Sequence, residues 1–492
     1  MSLEEIRKTK VEKVEKLRKA GLDPYPASSA RTNKISEAVE NFDKFANDKT
    51  GLILAGRVMA KREHGGSMFF DLRDGSTLLT TDGNVKIQGF IKEDVAGKDV
   101  FGQFMELVDI GDFIEIKGTL FKTKKEEKTL EVKEFKILSK ALLPLPEKWH
   151  GLQDEEERLR KRYLGLIMNP NEKDLFIGKN NFWQAIRNFL IKEGGLEVET
   201  PILERIPGGA DAEPFTTHLN ALDVDLYLRI SLELNLKRLI VAGYEKVFEI
   251  GRIFRNEGID REHLQDYTQM EMYWAYADYN KLMDIVKNLY SKTIKATIGD
   301  LSHEYQGSKI NWAGEWKKYD YYDEFKKYTE LDLAESSEKD LKKYAEKEGI
   351  ETHKHLGRGR LIDIIFKKKV RPHLIEPGFL VLPPVDIEPL AKRWLEDSNR
   401  VERFQVMAGG TELGKGFSEL NDPLDQRQRF EEQTKLREAG DREAQRLDED
   451  FIEALEYGMP PTAGFGMSER FFSFIMDKPV RETVFFPLMR PK

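Results

Sequence analysis

VFEIGRIFRNEGIDREHLQDYTQMEMYWAYADY, residues 247–279, alternates apolar and polar side chains on both sides of a charged loop, which reads as strand, loop, strand. The first run ends at Arg255, Asn256, Glu257 and Gly258. An arginine at the end of a strand can hold a phosphate or carboxylate through its rigid fork of donors, and a glutamate beside it can accept from a base or a ribose. In the loop, Arg261 and His263 are suited to outer phosphates, and Tyr267 on the returning strand is suited to stack on a purine. A plain β-hairpin with a charged turn has the same pattern, so this stretch alone does not separate the two readings.

Working outward, FWQAIRNFLIKEGGLEVETPIL, from residue 182 to 203, places Phe182, Ile186, Phe189 and Leu190 on one helical face, stops at a glycine pair and continues as a strand to Pro201. Near the C-terminus, PPTAGFGMSERFFSFIMD has Gly464 and Gly466 two apart in an apolar strand, with Glu469 and Arg470 at the mouth of a helix. Glycines there permit a flat ligand to lie along the strand with Arg470 over it, although a strand with glycines for packing reasons looks the same. Residues 316–372 are rich in Lys, Glu and Tyr and read as a helical insertion.

The first half is built differently. Ile6, Val11, Val14 and Leu17 fall at helical spacing among charges, and DPYP follows. Between 51 and 138 come five short β-rich runs, LILAGRVM, MFFDLRDG, VKIQGFI, FIEIKGTLF and LEVKEFKIL, which suggest a small barrel of the oligonucleotide-binding type. In MFFDLRD, Phe70 and Leu72 share one face while Phe69 joins Asp71 and Arg73 on the other; Gln88 likewise shares a face with Lys86 and Phe90. An aromatic on a polar face beside an amide is suited to stacking one base and reading its edge, although packing against the linker would also account for Phe69. The expected organisation is a leader with an amphipathic helix at 1–48, the barrel at 49–140, a proline-stiffened linker at 141–170 and a larger domain at 171–492.

Composition bounds the function. With 492 residues, 40% apolar and 34% charged, the chain has enough apolar content for more than one core. It has no cysteine, which excludes disulfides, thiolate metal sites and thiol nucleophiles, and fits a cytoplasmic setting. The N-terminal MSLEEIRKTK mixes charges where an export signal needs an apolar run, and no apolar stretch approaches the ~20 residues of a membrane span. The net charge of −8 is uneven, with +2 on residues 1–150 and −10 on the remainder. The lysines of the first helix and of FKTKKEEKTLEVK could meet a phosphate backbone, or form a solvated face.

Taken together, the helix and strand ending at Pro201, FRNEG with its loop, and the glycine strand with Arg470 resemble the three signature motifs of class II aminoacyl-tRNA synthetases. ALLPLPEKWHGLQDEEERLRKRYLGLI, the GGA at 208–210 and GFSELNDP at 416–423 extend the resemblance, over nearly the whole length, to the lysyl-tRNA synthetase family. That resemblance implies an α+β fold, with a five-stranded barrel binding the anticodon and an antiparallel sheet flanked by helices carrying the active site. It also implies ATP, lysine and tRNA as partners, Mg2+ with the ATP, a homodimer, and neither DNA nor membrane. By motif, Arg255, Glu257, His263 and Arg470 would be catalytic, and Tyr267, Gly464, Gly466 and Glu412 would complete the ATP site. Glu233 and Glu419 would grip the substrate's side-chain amine with the Tyr273 hydroxyl, Gly209 and Glu271 would hold the α-amino end, and Arg255 would also meet the carboxylate. Glu412 and Glu419 would be the metal ligands, and Arg62, Phe69 and Gln88 would read the anticodon. From its own sequence context, Glu233 reads as a solvent-facing partner of Lys237 one helical turn on.

Some positions depart from the family. Lys415 stands for an asparagine, Gln405 for a second metal-binding glutamate and Glu213 for a basic residue, while Leu264, Gln265 and Ser468 are also unusual. Lys415 is the one feature that favours an aspartyl- or asparaginyl-type synthetase. A tRNA-binding paralogue without chemistry is the other alternative, and intact Arg255, Glu257 and Arg470 argue against it.

Overall fold

In the computed structural model the described residues are 2–75, 85–146, 154–169, 171–258, 260–352, 356–441 and 444–491, so residues 147–153 and 170 of the expected linker lie outside them. The chain forms two units, Met1–Ile177 with Phe486–Lys492, and Gly178–Phe485.

In the first unit α1 (Leu3–Lys19) begins with a capping box, in which the Ser2 hydroxyl accepts from Glu5 N–H and the Glu5 carboxylate accepts from Ser2 N–H. It ends ahead of DPYP, at Gly21, whose φ of 74° lies in the left-handed region. Five strands, β1 (Leu52–Glu63), β2 (Ser67–Arg73), β3 (Ile87–Lys92), β4 (Phe113–Lys122) and β5 (Lys128–Ser139), close into a barrel in the order β1-β2-β3-β5-β4. The period-two pattern is obeyed: Met68, Phe70 and Leu72 are buried, and Phe69, Asp71 and Arg73 face outward. Leu17 of α1 packs into the same core as the barrel's Leu54, Phe70 and Ile116.

In the second unit, eight strands among the described residues form one sheet. In chain order they are β6 (Leu196–Glu197), β7 (Lys246–Phe254), β8 (Asp266–Ala275), β9 (Lys317–Asp320), β10 (Gly378–Val381), β11 (Arg403–Ala408), β12 (Thr411–Ser418) and β13 (Thr462–Ser468). Their order across the sheet is β9-β10-β11-β12-β13-β8-β7-β6. The six central strands are antiparallel, as expected, whereas both edge strands join in parallel. Two expectations change at these edges. The strand before Pro201 is only Leu196–Glu197, extended by a bond from Val198 N–H to the Phe248 carbonyl. The insertion is helical only after its first residues, Lys317–Asp320, have been taken into the sheet; α5 (Tyr321–Thr329), α6 (Glu338–Lys347) and α7 (Arg358–Ile365) then share a small core with Leu380 and Met407 of the sheet.

Register sorts the two faces of the sheet. Phe404, Gly416, Phe465, Met272 and Phe248 are aligned across five strands and turn to the face covered by α4 (Tyr279–Ile298), where Tyr290 stacks at 4.2 Å on Phe471 and its hydroxyl donates to the Leu413 carbonyl. The rows one residue on, Gln405–Lys415–Gly466–Glu271 and Arg403–Phe417–Gly464–Tyr273, turn to the opposite face, which is polar. No helix among the described residues is long and apolar enough to cross a membrane.

Candidate active site

The polar face lines a cavity of about 880 Å³. Gly209, Glu233, Arg255, Glu257, His263, Tyr267, Glu271, Tyr273, Glu412, Gly464, Gly466 and Arg470 all reach its wall, so residues up to 261 positions apart in the chain meet there. Glu419 does not line it. Its carboxylate sits behind Gly464 and the Tyr273 ring, and a Cβ at residue 464 would collide with both.

At one end of the cavity is a buried charge cluster. α3 (Glu233–Val241) starts at Glu233, and the Lys237 ammonium one turn on lies 2.5 Å from the Glu233 carboxylate. It also forms an ion pair with Glu419. The sequence pairing of Glu233 with Lys237 therefore holds, but not in solvent: the two are 4% and 0% exposed and Glu419 is 1% exposed. Phe417 and Phe451 pack over the ammonium. Burial pushes the Glu233 carboxyl up to about 7, against Lys237 and with the help of Glu271. Glu419 is raised well above the carboxylate range by burial, with Lys237 opposing and Glu233 adding. Burial works against the Lys237 charge, and the two carboxylates outweigh it, so that its pKa rises. Neither Glu419 oxygen has an aligned hydrogen-bond donor. Two carboxyl groups share one ammonium, and burial opposes ionisation of both, so a second cation would stabilise the fully ionised pair.

Two residues further along β13 the surroundings change. Glu271, opposite Gly466, accepts from the Ser231 hydroxyl at 2.8 Å, Leu232 N–H at 3.1 Å and the Gln269 amide, and the Tyr273 hydroxyl donates to its other oxygen at 2.8 Å. Tyr273, expected to reach the substrate amine, is thus tied to Glu271. On the other side of Gly466, the Lys415 ammonium lies 2.9 Å from Glu388, which Arg403 also approaches at 3.4 Å. Burial opposes the Lys415 charge, but Glu388 outweighs it and raises the pKa. Lys415 stands level with Gly466, not with Gly464, and it has its own carboxylate, so its pull on Glu233 is weaker than that of Lys237.

At the far end, Arg255 donates to the Ile230 carbonyl at 3.2 Å and lies 5.8 Å from the Tyr267 ring centre. Burial pushes the Tyr267 phenol up to about 12. His263 is half exposed and 2.6 Å from Asp260. Arg470, in the first turn of a short helix (Arg470–Ile475), forms an ion pair with Glu262 of the loop, a partner that the sequence reading missed because the two are 208 residues apart. Unusual Gln265 also has a structural role: its carbonyl accepts from Arg255 N–H, and its amide donates to the Glu257 and Gly258 carbonyls. Glu213 presents its carbonyl to Asn256 N–H.

Glu412, the second residue of β12, accepts from the Gln405 amide at 2.7 Å, and no group of three or more acidic or histidine side chains among the described residues could hold a metal alone. Glu419, the other expected ligand, is seven residues away, just past the opposite end of the strand; that is roughly 20 Å, too far to share an ion with Glu412. A single carboxylate would fit an Mg2+ that arrives with a polyphosphate and keeps several of its waters.

On the barrel, Arg62, Phe69 and Phe90 are aligned across three strands, with Asp71 and Gln88 in the neighbouring row. Phe69 and Phe90 lie 4.6 Å apart; Arg62 and Lys86 each lie 3.0 Å from Asp71; Thr129 donates to the Gln88 side-chain oxygen at 3.1 Å.

The model of class II tRNA synthetases for D, K and N matches residues 154–490, and that of OB-fold nucleic-acid-binding domains matches 52–138. The chain belongs to the class II tRNA synthetases. This synthetase is 44% identical to a lysine–tRNA ligase of Thermotoga maritima, over all of its own length and 97% of the relative's. It is 43% identical to one of Moorella thermoacetica, over 99% of its length and 98% of the relative's, and 42% identical to one of Nostoc punctiforme, over all of its length and 89% of the relative's.

Proposed function

We propose that the protein is a lysine–tRNA ligase of the cytoplasm, which activates lysine with ATP and transfers it to the 3′ end of its tRNA. The observation that carries the choice of amino acid is the buried pair Glu233 and Glu419 with a single ammonium between them, beside the cavity at Gly464. A substrate ammonium completes that charge balance, whereas a side-chain carboxylate of aspartate would be repelled. The full-length similarity to lysine–tRNA ligases supports the same reading.

Along β13 the substrate lies with its amine at Gly464, its α-amino group at Gly466 against Glu271 and Gly209, and its carboxylate toward Arg255. The lysine carboxylate attacks the α-phosphorus, the new O–P bond forms as the bond to the β-phosphate oxygen breaks, and pyrophosphate leaves with that electron pair. No enzyme nucleophile takes part. The protein contributes alignment and neutralisation: Arg255 spans carboxylate and α-phosphate, Glu257 and Tyr267 hold the adenine, and His263 and Arg470 hold the outer phosphates once Glu262 has yielded. Glu412 would hold Mg2+, which would supply further charge neutralisation for the polyphosphate. The terminal ribose hydroxyl of tRNA then attacks the acyl carbon and AMP departs. The barrel face with Arg62, Phe69 and Gln88 reads the anticodon.

ATP–pyrophosphate exchange measured with each amino acid in turn tests this reading. Exchange is expected with lysine; exchange with aspartate or asparagine in its place would overturn it. We also propose a homodimer, supported by exposed Ile191, Leu196, Ile202 and Leu203 around the end of α2 (Asn171–Lys192). Sedimentation as a monomer at micromolar concentration would contradict the dimer.

A further inference from the structure

Beyond Glu412 the cavity wall is made by the insertion. After α7 the chain makes a π-turn, Phe366–Val370, and a 3-10 turn, Arg371–His373, which bring Lys367 and Arg371 to the wall. A π-turn widens the helix by one residue and often marks a functional position. There the polar side chains of Tyr321, Asp363, Lys367, Arg371, Arg403, Gln405 and Glu412, with three apolar neighbours, line a side space of about 10 Å³, enough for one oxygen atom with its hydrogens. All of these polar side chains except Tyr321 also line the large cavity, so the space is continuous in its lining with the nucleotide side of the site.

Donors dominate this corner. The Tyr321 hydroxyl, Arg371 Nε and Arg403 Nε are buried and have no hydrogen-bond partner, and the tyrosine is 1% and Arg403 6% exposed. Burying a donor without an acceptor is unfavourable, and three unpartnered donors on residues that line one small space match an oxygen that carries several lone pairs. The charges agree. Lys367 is paired with Asp363 at 2.7 Å, Arg403 with Glu388, and Glu412 is bonded to neutral Gln405, while Arg371 has no carboxylate at ion-pair distance among the described residues. A glutamate at 405 would set a second negative charge against the corner; the amide does not.

We propose that Arg371, Lys367, Arg403 and the Tyr321 hydroxyl form a seat for one oxygen of a polyphosphate, namely the terminal phosphate of bound ATP and then the released pyrophosphate. The rest of the anion stays in the large cavity. The fixed cations of the insertion thereby take over part of the neutralisation that a divalent ion provides beside a lone carboxylate. This deepens the reading above, since it assumes that a nucleoside triphosphate occupies the cavity.

Calorimetric titration of the full-length protein with inorganic pyrophosphate, in EDTA and again in Mg2+, tests the seat without amino acid or turnover. The wild type is expected to bind pyrophosphate in EDTA, Arg371→Met to bind at least tenfold more weakly there, and Arg371→Lys to recover part of the loss. Tyr321→Phe, which removes a single oxygen, is expected to weaken binding about threefold, and decides the matter if Arg371→Met does not fold by its thermal melt. Pyrophosphate binding by the wild type only in Mg2+, or equal binding by the variants in EDTA, overturns the proposal. Absence of lysine-dependent exchange would overturn the functional reading instead and leave this titration standing.

Discussion

The barrel and the sheet both present charged side chains to a ligand, but they hold them in opposite ways. On the barrel, Arg62 and Lys86 have side chains 60% and 51% exposed and share Asp71 at 3.0 Å from each. Beside the sheet, Glu233, Lys237 and Glu419 are almost wholly buried. An exposed pair contributes about 0–1 kcal/mol and is easily exchanged for a phosphate or a base edge, whereas removing one member of a buried set leaves a charge without compensation, at about 3–5 kcal/mol. The barrel is thus suited to a long flexible polymer held by several weak contacts. The sheet is suited to a small ligand chosen by one unfulfilled charge.

The largest effect that would break this contrast belongs to the buried set. Glu419→Gln should lower kcat/KM for lysine in pyrophosphate exchange by on the order of 10²–10³, with KM for ATP changed little. A change below about fivefold would place Glu419 outside the recognition of the amine. Next comes the barrel aromatic: Phe69→Ala removes a stacking surface of about 1–3 kcal/mol and should raise KM for tRNA roughly 5- to 100-fold, leaving adenylate formation intact. Equal loss of both activities would make Phe69 a packing residue.

Smaller still is the effect of pH on the buried pair. A carboxyl with a raised pKa is neutral below that value and ionised above it; Glu233 lies near 7, so KM for lysine should increase as pH falls through about 7, by up to about tenfold per unit. Lysine binding near neutrality should also release a proton, measurable by calorimetry in buffers of different ionisation enthalpy. A flat profile from pH ~8 to ~6 would mean that Glu233 is ionised throughout. The smallest effect is expected for Asp71→Asn, which frees Arg62 and Lys86 and should change unfolding free energy by less than ~1 kcal/mol in a thermal or denaturant melt.

Much of this was legible in the order of residues. The barrel follows from period-two patterning, as Phe70 and Leu72 must turn inward if Phe69 and Asp71 turn outward. The hairpin Lys246–Phe254 with Asp266–Ala275 is visible for the same reason, and the glycine strand Thr462–Ser468 because few other residues let a side chain and a backbone approach so closely. The parallel edges were hidden, because Leu196–Glu197 and Lys317–Asp320 are too short to show a period. The burial of Lys237 was hidden too, since the sequence shows only an i, i+4 pair of the kind that normally faces water.

Local sequence determined which segments become strands and helices, and which residue types stand at their ends, because those depend on periodicity and on neighbours within a few positions. Only the tertiary structure decided that Glu419 would join Glu233 on one ammonium, that Lys415 would find Glu388, that Glu262 would find Arg470, and that Arg371 would reach the neighbourhood of Glu412. The reason is range: a charge responds to whatever the fold brings within a few ångströms, and burial multiplies that response, so partners distant in the chain set the chemistry of each group.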